Sequence, residues 1–492
     1  MSASSREGGA RPRHAWLRRI RVAFVAGPMT PLLERVAGAL LGHFRLRGHE
    51  VQTAPDDETD VVLTTAQSET PVSWRRALLF SVRRRFRLSR SPAVYTLLHM
   101  TPGRFRGLLE HFRAALARET PDPAAFDFPG LAPQAHRVLV EQGRRGGPIL
   151  ALERLVQAQA KSIRVVLVVG DERPLEAYHF DLVGAYPRSP GDDPESFYED
   201  IVLRMVTTVS TREVAEHQVV GEPVPRPLWE SLSTPAAMCA AGQALGERRF
   251  FTEMVRIADL VAVPAVTEGV ASQYSEGCFA TWDATLGALI ATVTGSARPV
   301  DKGRIGEDDL AVIVGVRPDG RGALVRPVEG KRDQPPSTEA VEMMGMDSPL
   351  PTIAVGPARV PVVRSKLHGH RGVAAYDPRW VEYVALDEPY FHYLVSCGTE
   401  AQAEGIKRAF ARSQALQHVA DERQVVFTVL PGHGAVLAEK WVPGKAPFQV
   451  LWEYMDAGLI QVQACIPQGP MGYEPGPEGR MVLRCEDEPA YL

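Results

Sequence analysis

The stretch RIRVAFVAGPMTPLLERVAGALLGHFRLRGHEV, residues 19–51, predicts how the chain begins to fold. Its first part is a short apolar run that is typical of a buried strand, and apolar residues then recur at helical spacing after Thr30 and Pro31. HEVQTAP, at residues 49–55, and DVVLTTAQ, at residues 60–67, read as two further strands. Because strand and helix alternate, we expect a parallel sheet flanked by helices.

Composition limits the classes of protein to consider. The chain has 492 residues, of which 45% are hydrophobic and 23% are charged, so we expect several domains with apolar cores. Its formal charge of -4 provides no overall field for nucleic acid or anionic lipid. The five cysteines show no CxxC spacing, which favours reduced thiols. No apolar run is long enough to span a membrane and no signal peptide is evident, so we expect a cytoplasmic protein without a membrane partner.

The order of the predicted elements indicates an α/β fold: two successive doubly wound parallel-sheet domains followed by a β-rich, barrel-like domain. Residues 1–18 are expected to be a disordered tail, and residues 19–135 to form the N-terminal α/β domain. The second α/β domain, at 150–300, includes the apolar strand IRVVLVVGD, residues 163–171. Residues 301–492 are predicted as the β-rich domain, because short strands alternate there with Gly, Pro and Asp turns.

An arginine-rich segment, SWRRALLFSVRRRFRLSRS at residues 73–91, interleaves arginines with aromatic residues. Such a pattern can hold phosphates and stack bases in single-stranded nucleic-acid sites. Because the rest of the chain is mildly acidic, we favour a solvated face, or one that pairs with acidic neighbours. Neither of the predicted sheets shows the glycine-rich loop of a classical dinucleotide site, and no P-loop motif occurs.

The stretch SEGCFATWDATLGALIATVTGS, residues 275–296, places a carboxylate between a tryptophan and an apolar run. We predict a helix over 284–294, with Asp283 as the N-cap that accepts the backbone N–H groups of residues 285 and 286. A carboxylate at a strand-to-helix junction also stands where α/β domains keep their ligand sites. The capping role and the ligand role both remain open.

The segment ATWDATLGALIATVTGSARPVDKGRIGEDDLAVIVG, residues 280–315, resembles a region of the L-fucose isomerase family. In that family an acidic metal ligand precedes a helix of small residues, and Thr281, Asp283 and Gly287 match the pattern. The family usually has an acidic residue two positions before the ligand, where this chain has Thr281. This departure leaves the choice of the partner carboxylate open.

The resemblance implies a metal-dependent aldose–ketose isomerase that works through an enediol. It implies Glu253 and Asp283 as catalytic carboxylates and as metal ligands, His392 as the third ligand, and Glu268 and Glu276 as backup carboxylates. Two carboxylates and an imidazole suit Mn²⁺ or another divalent cation, which would clamp both sugar oxygens. The implied partners are a small sugar and further copies of the chain in a homo-oligomer.

Five residues are candidates for binding substrate. His368 and His370 alternate in VRSKLHGHRG, residues 363–372, so they would share one face of a strand. Lys366 and Arg371 beside them could hold an anionic group, and Trp282 could stack on a sugar ring. The segment is equally compatible with a polar loop that carries ordinary surface histidines.

Two further functions remain as alternatives. Two α/β layers also suit a sugar- or nucleotide-sugar-binding protein without isomerase activity. A scaffold that uses the arginine-rich surface of residues 75–90 is the other. Metal content separates both from the isomerase, since neither depends on a bound cation.

Overall fold

The computed structural model describes residues 18–67, 85–89, 92–107, 164–170, 175–181, 184–186, 194–210, 216–248, 250, 277–293, 302–331, 335–369, 372–387, 398–430, 434–463 and 471–485. These residues form helices, one largely parallel sheet and one large mixed sheet, which confirms the α/β class. No helix among them combines the length and the apolar character needed to cross a membrane. The N-terminal tail of residues 1–17 and most of the arginine-rich segment lie outside the described residues.

The first sheet has seven strands in the order β2-β1-β3-β4-β5-β6-β7. They are β1 Arg21–Val25, β2 Glu50–Gln52, β3 Val61–Gln67, β4 Ala93–His99, β5 Arg164–Val168, β6 Ala177–Asp181 and β7 Gly184–Tyr186. The first five strands pair in parallel, and β6 and β7 add antiparallel at one edge. The strand order reverses between β1 and β3, the position at which open α/β sheets bind ligands.

Two of the described helices that pack on this sheet are α1, Pro31–Leu46, and α2, Pro194–Ser210. Helix α1 begins as predicted, because the hydroxyl of Thr30 accepts the N–H of Leu33 at 3.2 Å and Pro31 takes the first turn. Helix α2 lies against α1, and both helices bury their apolar faces in one core with the strands. The N-terminal strand–helix–strand prediction is confirmed.

The strand predicted to open a second α/β domain belongs to this first sheet. Strand β5 pairs in parallel with β4, from Tyr95 opposite Arg164 to His99 opposite Val168. An apolar run indicates that a strand is buried, but it does not indicate which sheet the strand joins. For this reason the sequence pattern predicts a new domain at residue 150, whereas the chain adds β5 to the first sheet. The boundaries predicted at 135, 150 and 300 therefore do not coincide with the division of strands between the sheets.

Gly27 lies where the loop after β1 closely approaches β3. The N–H of Gly27 donates to Thr65 Oγ1 at 2.8 Å, and a Cβ at this position would collide with the Thr65 carbonyl oxygen. We expect Gly27→Ala to cost about 1–3 kcal/mol of unfolding free energy, as overpacking does. In contrast, Gly38→Ala on the exposed face of α1 meets no atom within 4 Å and should stabilise by roughly 0.5–1 kcal/mol. Urea denaturation measures both, and equal effects would contradict the close approach.

The other described strands together form three sheets. They are β8 Gln218–Val219, β9 Cys278–Asp283, β10 Ala288–Thr292, β11 Leu310–Val316, β12 Ala323–Arg326, β13 Thr352–Val355, β14 Ala358–Pro361, β15 Val363–Gly369, β16 Gly372–Tyr376, β17 Val381–Tyr383, β18 Val425–Leu430, β19 Gly434–Lys440, β20 Ile460–Gln463, β21 Met471–Pro475 and β22 Met481–Cys485. Nine of them form a mixed sheet in the order β17-β18-β19-β15-β9-β10-β11-β12-β8. The others form the hairpin β13-β14 and the four-stranded sheet β20-β16-β22-β21.

The nine-stranded sheet is covered on both faces, because residues that alternate along its strands enter two different cores. One core contains α3 Arg226–Ser231, α4 Thr234–Glu247, α8 Gln449–Asp456 and part of the four-stranded sheet. The other contains α5 Ala340–Gly345, α6 Glu400–Ala411 and α7 Gln414–Gln417. We call these faces the α4 face and the α5 face.

The helix predicted over 284–294 is wrong: the segment is a β-hairpin, with β9 and β10 paired antiparallel from Asp283 opposite Ala288. All five residues of β10 are buried, so the strand lacks the alternation of polar and apolar residues that identifies a half-exposed strand. Gly287, with φ of +57°, adopts the left-handed conformation that ends the turn. In a sequence segment of this length, a fully buried strand and a buried helix both appear as a continuous apolar run.

The described part of the C-terminal region has the predicted short strands and helix α6, which falls within the predicted EAQAEGIKRAFARS. The strand predicted at YFHYLVSC, residues 390–397, lies outside the described residues. The barrel is not seen: in the described part of the chain the nine-stranded sheet is open, with β17 and β8 at its edges. The hairpin β9-β10 lies in the segment predicted to belong to the second α/β domain. Strand β9 pairs with β15 and β10 pairs with β11, so the hairpin belongs to the nine-stranded sheet.

Candidate functional site

Strand β15 carries two of the three described candidates for substrate binding, Lys366 and His368, on one face, and the third, Trp282, lies on the neighbouring strand β9. Lys366 lies opposite Ala280 and Ala438, while His368 lies opposite Cys278 and Val436. These neighbours belong to the core of the α5 face. Lys366 and His368 therefore share a face, as alternate residues of a strand must. His370 and Arg371 lie outside the described residues.

Lys366 forms a buried pair with Asp347. Asp347 was not among the candidate residues predicted from the sequence. Its Nζ contacts Asp347 Oδ2 and donates to the carbonyl oxygen of Met343 at 2.5 Å, and its side chain is 0% exposed. The indole N–H of Trp282 donates to the same Asp347 Oδ2 at 2.6 Å. The ammonium group of Lys366 is therefore engaged within the protein. The bond to Asp347 uses the indole N–H of Trp282, so it does not test the predicted stacking of the Trp282 ring on a sugar.

Burial, and the contact between Lys366 and Asp347, shift the pKa of each side chain in opposite directions. Burial lowers the pKa of Lys366 and raises the pKa of Asp347, since both charged forms lose water. The charge and the hydrogen bond of each partner oppose these pKa shifts. The contact with Lys366 and the N–H of Trp282 favour the ionised form of Asp347.

A second group of buried polar side chains lies beside this pair, and we call it the acid–base cluster: Cys278, Lys302, Glu339, Glu342 and His368. The Nδ1 of His368 lies 3.2 Å from the carbonyl oxygen of Ala435, which can only accept, so Nδ1 carries a proton. Its Nε2 then faces Glu339 Oε1 at 3.6 Å. Three chain segments that are far apart in sequence thus bring an imidazole and carboxylates together.

Glu342 is the most unusual member of the cluster. It lies in the first turn of α5, three residues after Glu339, and is 0% exposed. Among the described residues neither of its carboxylate oxygens has a hydrogen-bond donor. The backbone N–H of Gly398 is near enough to act on it, but that group donates to Gln402 Oε1 at 2.8 Å. Burial, and then the charge of Glu339, raise the pKa of Glu342 well above its ordinary value.

Lys302 and Cys278 complete the cluster. Lys302 is 0% exposed, and its Nζ donates to the carbonyl oxygen of Val293 at 3.1 Å. Burial lowers the pKa of Lys302, while the charges of Glu339 and Asp309 act in the opposite direction. Burial raises the pKa of the Cys278 thiol to about 12, so it stays protonated and is a poor nucleophile.

Asp283 lies on the other side of the sheet, facing α4. Its Oδ2 accepts the hydroxyl of Thr234 at 2.5 Å and its Oδ1 accepts the N–H of Leu286 at 2.8 Å. Of the two N–H groups expected from a helix cap, the structure has the bond from residue 286, now within a hairpin turn. Both oxygens of Asp283 thus have donors, and the side chain faces away from Lys366 and His368. The described geometry favours the capping role.

A second buried carboxylate on the α4 face also acts as a cap. Glu439 accepts the N–H groups of Phe448 and Leu451, both at 2.9 Å, at the start of α8. Burial raises the pKa of Glu439 to about 7, although these bonds oppose the shift. Because its oxygens are already occupied, we assign Glu439 a structural role.

The described residues do not form the predicted cation site. No three His, Cys, Asp or Glu side chains in the described ranges are grouped so that they could hold a metal ion. Glu253, Glu268, Glu276 and His392 all lie outside those ranges. The only predicted ligand that the structure does describe is Asp283, whose oxygens are engaged as a cap.

The two carboxylates of the cluster, Glu339 and Glu342, were not predicted, but they have a recognisable signal in the sequence. In STEAVEMMGMD, residues 337–347, Glu339 and Glu342 stand three residues apart, so a helix places them on one face. Three acidic residues in eleven, interrupted by apolar residues that must be buried, place carboxylates where they cannot be solvated. That conflict was visible in the sequence.

Comparison with known proteins does not identify the chain: no family model matches it, and no curated protein matches its sequence.

Proposed function

We propose that the chain catalyses proton transfer in a small sugar, interconverting an aldose and a ketose, and that the acid–base cluster provides the catalytic groups. The observation that carries the proposal is Glu342, a fully buried carboxyl whose oxygens have no described hydrogen-bond donor and which lies beside a second carboxyl. Proteins pair buried polar groups almost without exception. Groups left unpaired, with strongly shifted pKa values, occur preferentially at functional sites.

The chemistry of the cluster suits this reaction. Glu339, in contact with His368, acts as the base that removes the proton from the carbon next to the carbonyl group. Glu342 holds a proton at neutral pH and donates it to the carbonyl oxygen, which gives an enediol. The base then returns its proton to the former carbonyl carbon, and Glu342 recovers a proton from the other hydroxyl. Two carboxyls in different protonation states can serve such a reaction as its base and its acid.

The proposal retains the other expectations that arose from the resemblance. A divalent cation such as Mn²⁺ would polarise the carbonyl group of the sugar. Because the described residues do not form its site, no step above depends on it. A homo-oligomer and a cytoplasmic location also belong to the proposal.

Exchange of hydrogen with solvent tests the proposal directly. The protein is incubated in D₂O with aldopentoses, aldohexoses and deoxyhexoses, with and without added Mn²⁺, and ¹H NMR follows the loss of the C2 proton and the appearance of ketose. We expect exchange with at least one sugar, and a rate at least about 100-fold lower for Glu342→Gln. Glu404→Gln, at an exposed carboxylate of helix α6, is the matched control. Wild-type protein that exchanges no sugar contradicts the proposal, and an unchanged rate in Glu342→Gln removes Glu342 from it.

Ligand binding without catalysis is the second candidate. It is supported by the strand order β2-β1-β3-β4-β5, whose reversal between β1 and β3 marks the usual ligand crevice. Titration calorimetry with the same sugars and with nucleotide sugars distinguishes the two functions. Binding that is unaffected by Glu342→Gln, without any exchange, favours this second candidate.

A further inference from the structure

The segment that carries the two carboxyls of the acid–base cluster contacts strand β15 at two points. At the first point, Glu339 Oε1 lies 3.6 Å from His368 Nε2. At the second, the ammonium group of Lys366 donates to the carbonyl oxygen of Met343 at 2.5 Å and contacts Asp347 Oδ2. Glu339 directly precedes α5, and Asp347 follows its C-terminal end. Both ends of the helix are therefore joined to the same strand.

The spacing of these contacts is the same on the helix and on the strand. Lys366 and His368 are two residues apart on β15, which corresponds to about 6.6 Å along an extended strand. Met343 and Glu339 are four residues apart at α5, which corresponds to about 6 Å along a helix. Because the two spacings agree, one placement of α5 on β15 satisfies both contacts. A shift of the helix along the strand would break both of them.

Asp347 joins the end of α5 to a second strand as well. The indole N–H of Trp282, on β9, donates at 2.6 Å to the same Asp347 Oδ2 that contacts Lys366. The carbonyl group of Met343 belongs to the last turn of α5, where helix carbonyls lack partners within the helix, so Lys366 also caps the helix. Lys366 and Trp282 together hold the C-terminal end of α5 against the sheet.

We propose that Asp347 is a positioning residue for the proton transfer: through Lys366 and Trp282 it fixes α5 on the sheet and so holds Glu339 beside His368. The catalytic meaning of this role rests on the proposed function. The distance of 3.6 Å between Glu339 Oε1 and His368 Nε2 exceeds that of a hydrogen bond, so a small movement of α5 decides whether they exchange a proton. A displacement of about 1 Å can lower a catalysed rate about 100-fold.

The double variant Lys366→Met/Asp347→Asn separates positioning from stability. It removes both charges of the pair, so no unpaired ion remains buried, and the new amide can still accept from Trp282. We therefore expect this variant to fold with nearly wild-type stability. It lacks the ammonium group that holds the Met343 carbonyl, however, so α5 loses that contact with β15. If the pair were only structural, activity would recover together with stability.

Nitrogen NMR of protein labelled with ¹⁵N in the histidine rings tests the position of α5 without any substrate. The signals of His368 are assigned with His368→Gln, and Glu339→Gln shows how they change when the facing carboxyl is lost. In the double variant we expect the His368 signals to leave their wild-type positions in the direction seen in Glu339→Gln. Lys407→Met, at an exposed ammonium group of α6, should leave them unchanged.

Steady-state kinetics add a second measurement. With a sugar that the wild-type protein converts, the double variant should lower kcat at least about tenfold and change KM by less than about twofold. This division is expected because Asp347 aligns the proton-transferring groups and does not bind the sugar. Lys407→Met should retain the wild-type kcat.

Two results would overturn the inference: His368 signals at their wild-type positions in a stably folded double variant, or a wild-type kcat in that variant. If the double variant does not fold, Trp282→Phe, which removes only the N–H donor to Asp347, replaces it, and the same two results decide. The NMR measurement is independent of turnover. His368 signals that move as expected in a protein that exchanges no sugar would therefore contradict only the proposed function.

Discussion

Glu342→Gln is expected to stabilise the protein at alkaline pH, in addition to slowing the hydrogen exchange proposed above. The amide has the same size and cannot ionise, so it avoids the cost of a buried carboxylate without hydrogen-bond donors. We expect a clear gain in the free energy of unfolding at pH 8, and little difference from wild-type protein near pH 4. Urea denaturation across this pH range measures the gain.

The direction of the pH dependence follows from the raised pKa of Glu342. In unfolded protein this carboxyl ionises near its ordinary value of 4.5, whereas burial keeps it protonated in the folded state. Its contribution to stability is therefore fully present below pH 4.5 and is lost as the pH rises through the folded-state value. The loss amounts to about 1.4 kcal/mol for each pH unit between these two values.

A matched substitution isolates the effect of burial. Glu404→Gln, at an exposed position of α6, should change stability by less than about 0.5 kcal/mol at every pH. A Glu342→Gln variant that is less stable than wild-type protein at pH 8 would show that Glu342 has a stabilising partner. In that case the cluster is structural, and the proposed function loses its main support.

Lys366→Met is expected to cost about 3–5 kcal/mol of unfolding free energy, because it leaves the carboxylate of Asp347 buried without its counter-charge. The N–H of Trp282 remains as a donor to Asp347, but it does not neutralise the charge. Adding Asp347→Asn should restore most of the loss, since the amide oxygen can still accept from Trp282. The double-mutant cycle measures this coupling by urea denaturation.

An exposed lysine provides the control. The Nζ of Lys407 lies 3.9 Å from Glu404 Oε2 on the surface of α6. Lys407→Met should lower the free energy of unfolding by less than about 0.5 kcal/mol. If Lys366→Met costs no more than this control, or if its effect simply adds to that of Asp347→Asn, Lys366 and Asp347 do not form a charged pair.

Local signals made much of the fold predictable. Helix α1 begins after Thr30 because a hydroxyl cap and Pro31 act within a few residues. The C-terminal strands were found because Gly, Pro and Asp turns separate them. The hairpin at Asp283 was missed for the opposite reason. Its second strand is buried throughout, and the periodicity that distinguishes a strand from a helix needs one exposed face.

The candidate site was predictable only in part. Lys366 and His368 share a face because alternation is a local property of a strand. Their partners Asp347 and Glu339 lie 19 and 29 positions away in the chain, and no local pattern connects residues at that separation. The resemblance directed attention to Asp283, which the structure places on the opposite face of the sheet.

Local patterns in the sequence predict the α/β class, the N-terminal strand–helix–strand unit and the short C-terminal strands, because caps, turns and periodicity act over a few residues. Tertiary pairing places β5 in the first sheet, makes β9 and β10 a hairpin, and brings His368 Nε2 to 3.6 Å from Glu339 Oε1. These features depend on pairing between distant segments, where burial alters both conformation and charge. No local pattern records which distant segment a buried side chain will face.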